Sequence, residues 1–546
     1  MSTPAEAAPA TARNSVTVAG WTLASRVAGL LRVLVIGAVL GPTYFANLFQ
    51  TGYVVPQMVY SLIAGQVLAM VVVPTVVRAV ADGGLPRARE VLSRVAGVLL
   101  VTSGTLAVLL ALAAPLVAWS LTFGIPDGDA RARARQLTVV VILFVAPQVV
   151  LYTVAALSQA AQQARGRFAL AAGAPIVENL GVMATMGCAA WVFGGGPEVT
   201  DVPIGYVVVL CAGATGSVAA HAALQVFGAC RAGVGARPSL RWRQDPDVVD
   251  MVHRVRRSVS VAACPSAALY VLLALAATVP GGVFVLQVVY TVNSAVISLG
   301  AHAVSTAVLP ELARVADGPD TSEFGAAWRR GMSYAAVAGL PALVLIAVFA
   351  GPAANVLAAG EADSDAVISA VAACLLVIAV VQLVGGVHGL GRQALFARLD
   401  DRAPRLAVAV GLAVVVVVGF ASLALSAGTP RLVGLVAALL AGEAAGAFIV
   451  LRRLRGALRP EPLLEVRSLL PVVIAVLPVL PVAAGGSLLM HSAEVAGFAD
   501  AALLALCGAV AVAVYAAALR LATAPGAGGL RDGILRDGVV RDGAPR

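Results

Sequence analysis

Long apolar runs separated by short polar intervals dominate the chain. Runs of about 20 residues are long enough to cross a hydrocarbon core as helices. They predict helices near 16–41, 47–79, 92–122, 136–163, 168–195, 203–230, 254–279, 283–313, 328–350, 365–391, 404–426, 431–451, 468–490 and 497–521. The fold class expected is an all-α polytopic membrane protein with 14 transmembrane helices. Met1 to Asn14 is rich in Ala, Thr and Pro, and the next apolar run is too long for a signal h-region, so the first helix is expected to stay in place.

The polar intervals orient the chain. Those after even-numbered helices are basic, with Arg78, Arg87, Arg89 and Arg94, then Arg165 and Arg167, then seven arginines from Arg231 to Arg257. Those after odd-numbered helices, such as "GGGPEVTDVP" and "AAGEADSD", are acidic or neutral. The positive-inside rule then puts both termini in the cytoplasm. The exception, "GDARARARQ" with Arg131, Arg133 and Arg135, is expected to be an exposed helix start.

The chain also matches itself at long range. "VPTVVRAVADG" from Val73 recurs as "LPELARVADG" from Leu309, and each closes a segment carrying Gln and Tyr three residues apart, Gln50 with Tyr53 and Gln287 with Tyr290. Pro74 and Pro310 are 236 residues apart, Pro115 and Pro352 are 237 apart, and Pro175 and Pro404 are 229 apart. Six helices per copy keep the orientation, so two six-helix lobes related by a pseudo-two-fold along the membrane normal are expected, plus helices 13 and 14. Such repeats place a substrate path between them and alternate access by rocking. The expected parts are an N-terminal segment 1–14, an N-lobe 15–235, a basic linker 236–253, a C-lobe 254–460, helices 13–14 over 461–522 and a flexible tail 523–546.

Composition adds two points. Charged residues make up 12% of the 546, about half the share in soluble domains, and mean hydropathy is +0.94. The net charge of +9 is carried by arginine alone, which suits orientation and anionic headgroups rather than nucleic acid. Six scattered cysteines without a CxxC pair and five scattered histidines support packing roles, and no metal or cofactor is expected. With no GxxxxGK[ST] loop, paired carboxylates or nucleophile beside a base, enzyme chemistry is not expected either.

Candidate chemistry lies in polar groups at membrane depth, where an ionised side chain needs a cavity or a partner. Arg26 and Arg32, inside "TLASRVAGLLR", are six residues apart, about 120° around a helix and about 9 Å along it. They either line a broad cavity and hold a diphosphate through guanidinium forks, or pair with Glu178 or Glu443, or snorkel to an interface. The second segment brings Asn47, Gln50, Tyr53, Gln57, Tyr60 and Gln66 around Gly52, Pro56 and Gly65, as a bent helix along a wet path or as packing. Glu178 and Glu443 are candidate charge partners or coupling groups. Asn293, Ser294 and His302 mark the eighth segment.

Several stretches resemble one family. "SRVAGLLRVLVIGAVLGPTYFANLFQTGYVVPQMVYSLIAGQVLAMVVVP", with Pro56 and Pro74 18 residues apart, "ARGRFALAAGAPIVENL", "STAVLPELAR" and "ALFARLDDRAP" are similar to signatures of the MurJ (MviN) lipid II flippases, within the multidrug/oligosaccharidyl-lipid/polysaccharide exporter superfamily. The resemblance spans about residues 15 to 520. It implies a two-lobe fold in a bacterial inner membrane and a polyprenyl-diphosphate-linked peptidoglycan precursor, moved from inner to outer leaflet. It also implies a groove of helices 13 and 14 for the tail. Arg26 and Arg32 fall on the family's cavity arginines, with Asn47, Gln57 and Asn293 expected to line the same path. Partners expected are that precursor, membrane lipids and other cell-wall synthesis proteins.

The chain departs from the family at Val33 and Asn47, where acids are usual, and at Tyr60 and Ser61, where arginines are. Ala64, Gly65 and Gln66 replace an AEG motif, Thr291 and Ser294 replace charged or amide positions, and sodium-binding acids of some members have no counterpart. Two other readings therefore stay open: a non-transporting scaffold or sensor in cell-wall synthesis, and an exporter of another lipid-linked glycan.

Overall fold

The computed structural model describes residues 4–63, 65–316, 321–459, 462–492 and 498–523, and every regular element among them is a helix. The tail expected at 523–546 lies outside the described residues from position 524 onward, as do Ala64 and the side chains of Gln66 and His302. The chain forms two compact units. The first comprises Met1–Phe284 with Gly360–Ala362, and the second Val285–Ala359 with Asp363–Arg546.

In the first unit the helices are α1 (Pro4–Leu40), α2 (Tyr44–Ile63), α3 (Gly65–Leu112), α4 (Ala114–Thr122), α5 (Gly128–Val145), α6 (Gln148–Ala164), α7 (Phe168–Gly173), α8 (Pro175–Phe193), α9 (Ile204–Arg231) and α10 (Pro246–Ala276). Then come α11 (Gly282–Leu299), which crosses the boundary, α12 (Ala301–Val315), α13 (Thr321–Val348), α14 (Ala350–Leu357), α15 (Asp365–Ala397), α16 (Arg402–Ala421), α17 (Thr429–Leu458), α18 (Val466–Val476), α19 (Val479–Ser492) and α20 (Phe498–Ala522). The first unit thus reaches past residue 235 and includes α10.

Among the described residues, twelve helical stretches are long and apolar enough to cross a membrane. Of the fourteen expected segments, 47–79 misses this threshold over α2, and of 254–279 the part counted among the described residues is the shorter apolar helix Ala263–Ala276. In α2, Asn47, Gln50 and Gln57 dilute the apolar run.

Local chemistry explains the breaks. Between the second and third expected segments, α3 leaves helical geometry at Gly83 and Gly84, and Gly84 has φ 68° and ψ −162°. A Cβ forbids that combination for L-residues, so glycine sets this corner. The arginine-rich stretch "GDARARARQ" is a helix start, as its pattern predicts. Asp127 caps α5 by accepting the N–H groups of Asp129 and Ala130 at 3.3 and 3.1 Å. Arg131 then donates to the Ile125 carbonyl at 2.8 Å and Arg133 to that of Val202 at 2.8 Å.

The basic stretch expected as a linker is anchored. Its Ser239 N–H donates to the Ser93 carbonyl at 2.8 Å, and Gly97 leaves room for it, because a Cβ there would sit 2.1 Å from the Ser239 carbonyl oxygen. Asp245, fully buried, pairs with Arg94 at 2.6 Å and Arg87 at 3.0 Å.

Packing of the first unit centres on Phe45, Phe49, Leu121, Ile125, Val141 and Tyr206. A second cluster gathers α3, α6 and α10 around Val91, Leu92, Ala160 and Met251. Between them Asn47 ties α2 to the turn after α10. Its amide donates to the carbonyls of Val279 at 2.7 Å and Ala277 at 3.4 Å, and its oxygen accepts the Val283 N–H at 3.1 Å.

The second unit packs around Phe324, Trp328, Leu312, Leu390 and Leu454. Its last helices form a smaller core of Ala475, Val479, Ala511 and Tyr515, and the Tyr515 hydroxyl donates to the Val337 carbonyl of α13 at 2.8 Å. Asp400, in the turn before α16, accepts from Arg453 of α17 at 2.6 Å.

Two outcomes follow from these contacts. Gly84→Ala is expected to cost about 1–3 kcal/mol, read as a lower midpoint of thermal unfolding in detergent at unchanged expression. Asn47→Ala strands a buried N–H and carbonyl and is expected to cost about 2 kcal/mol or more in the same assay. Asn47→Asp restores one acceptor but no donor, and should recover only part of the loss.

Candidate functional site

Within the first unit, the buried carboxylate of Glu178 meets side chains from four other helices. Glu178 lies in the first turn of α8, after Pro175, and is 6% exposed. Its Oε1 accepts from the Tyr53 hydroxyl of α2 at 2.9 Å and from the Tyr152 hydroxyl of α6 at 2.8 Å. Its Oε2 lies 2.9 Å from Nδ1 of His221 on α9. Arg32 of α1 places Nη1 3.6 Å from Oε1. An ionised carboxylate removed from water needs this many partners, since donors to a charged acceptor are the strong ones and an unpaired charge is costly.

Arg32 is fixed from two directions. Its Nη1 donates to the Tyr53 hydroxyl at 3.1 Å, while the guanidinium carbon lies 5.2 Å from the Tyr53 ring centroid. Tyr53 accepts from Arg32 and donates to Glu178, so one hydroxyl orders both charges. Yet Arg32 is not satisfied: its buried Nε has no hydrogen-bond partner. The site therefore holds one cation, one anion and an unused donor.

The other residues expected at the site fall in different places. Arg26 is exposed on α1, one and two-thirds turns before Arg32. Asn47 serves the backbone turn after α10, as described above, and Gln57 is exposed. Asn293, on α11 in the second unit, is 6% exposed, and its side-chain oxygen has no partner. Within the first unit, the described contacts bring Arg32 and Glu178 of the expected set together.

Tyr152 and His221 are the members sequence reasoning missed. Each stands alone in an apolar helix, "VVLYTVAAL" and "SVAAHAALQ", and nothing local marks its partner. A tyrosine or histidine in the middle of an apolar helix was the available signal.

A related pair occurs in the second unit. His388 of α15 places Nδ1 2.7 Å from Oε2 of Glu443 on α17. Arg392, one turn further along α15, and Tyr290 of α11 both interact electrostatically with this carboxylate. His388 is packed tightly, for a Cβ on Gly446 would fall 2.5 Å from its ring, and its Nε2 is buried without a partner. Each unit thus pairs one buried histidine with one glutamate.

The positions that depart from the expected pattern are occupied by packing contacts. Val33 is 3% exposed in the core. The Tyr60 ring lies 6.0 Å from that of Tyr152, and the Ser61 hydroxyl is 2.7 Å from that of Ser266 on α10. Thr291 donates back to the Gln287 carbonyl one turn earlier at 2.7 Å.

Comparison with known proteins agrees with this architecture. A solved structure described as lipid II flippase MurJ in an inward closed conformation superposes with TM-score 0.67 at 13% identity, covering 93% of this chain and 99% of that one. An inward-facing multidrug resistance MATE family transporter of the MOP superfamily gives TM-score 0.62 at 12% identity, covering 82% of this chain and 99% of that one. A MOP superfamily transporter from Pyrococcus furiosus gives 0.53 at 15% identity, covering 82% and 96%. At these identities the likeness establishes a shared fold. The model of the family described as lipid II flippase MurJ matches residues 36–498, most of the length, and the chain belongs to that family.

Proposed function

We propose that the protein flips a lipid-linked diphosphate, the peptidoglycan precursor lipid II, from the inner to the outer leaflet of a bacterial inner membrane by alternating access. The observation that carries this reading is Arg32. It is a mostly buried arginine within the span Gly20–Leu40, and one of its donors has no acceptor. A phosphate oxygen would satisfy that donor and the guanidinium charge together, which a water cannot do for the charge. Arg26, exposed nearer the start of the same helix, would meet the headgroup first. Asn293, with its unmet oxygen, and Gln57 are the uncharged groups offered to a sugar or peptide.

Further features fit. An apolar cavity in the second unit, lined by Val296, Met332, Leu383, Leu464 and Leu469, suits a polyprenyl chain. The basic loops after even-numbered segments support cytoplasmic termini under the positive-inside rule. The matched prolines and Gln–Tyr pairs support two lobes, 15–235 and 254–460, that rock about a pseudo-two-fold along the membrane normal. No covalent step is required, only a change of access while the headgroup stays in a polar environment.

A second reading is a membrane scaffold or lipid sensor for wall-synthesis proteins. Tyr60 and Ser61 favour it, since positions where the resemblance leads one to expect arginines are committed to Tyr152 and Ser266. Depletion of the resident lipid II flippase in a related host separates the two. The native chain is expected to restore growth, Arg32→Ala to restore none at equal membrane level, and Arg26→Ala to restore part. Absence of rescue by well-inserted native protein would overturn flipping in favour of the scaffold.

A further inference from the structure

Glu178 accepts hydrogen bonds from two hydroxyls at one oxygen and faces a histidine nitrogen with the other. A carboxylate has no hydrogen to give, so Nδ1 of His221 carries the hydrogen of that 2.9 Å bond. The second ring nitrogen, Nε2, is then the proton-accepting atom of the cluster. With Nε2 bare, Arg32 and Glu178 cancel and the site is neutral. With Nε2 protonated, the same three side chains carry one net positive charge.

We propose that the Glu178–His221 pair is a proton-binding site whose occupancy sets the affinity of Arg32 for an anionic phosphate. The proposal rests on Arg32 being the anion-binding group. When the pair lacks its extra proton, Glu178 competes for the guanidinium from 3.6 Å and repels an incoming anion. A proton taken from water onto His221 draws Glu178 toward the imidazolium and leaves Arg32 to the ligand. By linkage the reverse holds as well: a bound anion raises the proton affinity of the pair, so binding takes up a proton and release returns it. Histidine is the side chain whose charge ordinarily changes between about pH 5 and 8.

The groups facing the pair are Arg32 from α1, Tyr53 from α2 and Tyr152 from α6, with His221 itself on α9. Both tyrosines donate to Glu178 and so hold it as an acceptor rather than offering a competing base. Helix α7, "FALAAG", carries no titratable side chain. Among the arginines of α5, Arg131 and Arg133 bond to carbonyls near that helix's own start and Arg135 to Thr122. His388 differs from His221 in lacking an arginine within ion-pair distance of its glutamate among the described contacts, so proton linkage to an anion is assigned to the first unit alone.

The test uses the full chain in detergent and farnesyl diphosphate as the probe, with calorimetric titrations in two buffers of different ionisation heat. Native protein is expected to take up protons on binding, and its affinity to fall by up to about tenfold per pH unit as pH rises through the linked range. His221→Gln should still bind, with uptake lowered by up to one proton; subtraction removes the titration of the diphosphate itself. Glu178→Gln keeps the hydrogen-bonding shape but removes the competing charge, so its affinity at alkaline pH should rise to the native value at acid pH. This gain cannot come from a misfolded variant. Equal uptake in native and His221→Gln protein, with no gain in Glu178→Gln, would overturn the proton link while Arg32-dependent binding stands. Binding unchanged in Arg32→Gln would overturn the anion site and the link with it.

Discussion

A single buried carboxylate organises the first unit. Glu178 has left water, and the cost of an isolated ion in that environment far exceeds the stability of a protein, so it must be surrounded by donors or lose its charge. The donors come from α2, α6 and α9, and the countercharge from α1. These helices span residues 4 to 231, so one residue's solvation requirement ties together chain segments far apart in sequence. The apolar core around Phe45, Phe49 and Val141 supplies cohesion without fixing one rotation of each helix, because Val, Leu and Ala pack adequately in several registers. Hydrogen bonds at 2.8–2.9 Å to a fixed oxygen pair do select one.

Polar ties of the same kind close the ends of the unit. Asn47 bonds to three backbone groups in the turn after α10 and the start of α11, the carbonyls of Ala277 and Val279 and the N–H of Val283. Asp245 gathers Arg87 and Arg94 and holds the basic stretch after α9 against α3. In both cases a residue that looks like candidate site chemistry, or like linker charge, is consumed by structure. Arg32, by contrast, keeps a buried donor that no structural contact uses.

The departures from the family pattern become intelligible in the same terms. Where arginines are expected, Tyr60 and Ser61 make contacts with Tyr152 and Ser266 that demand no countercharge. Val33 needs none either. Among the described contacts Glu178 then meets one arginine, Arg32, and its remaining oxygen contacts come from Tyr53, Tyr152 and His221.

The sequence by itself determined the membrane-spanning all-helical class, because hydrophobic length is a local property and each span satisfies its own backbone. It also marked the arginine-rich start of α5, the break near Gly84, the matched Gln–Tyr pairs and the presence of Arg32 inside a span, since an arginine there is anomalous wherever it points. Within α2 the apolar run is diluted by Asn47, Gln50 and Gln57, and the buried Asn47 is accommodated by the backbone groups that follow α10. Only the tertiary structure decided what each polar residue meets. Arg26 and Arg32 share one helix, yet one is exposed and the other lies against Tyr53 and Glu178. Tyr152 and His221 carry no local sign of a partner 26 or 43 residues away. A hydrogen bond depends on directions and distances of a few ångströms, which are set by how whole helices rotate and pack, and no spacing along the chain encodes that across separate spans.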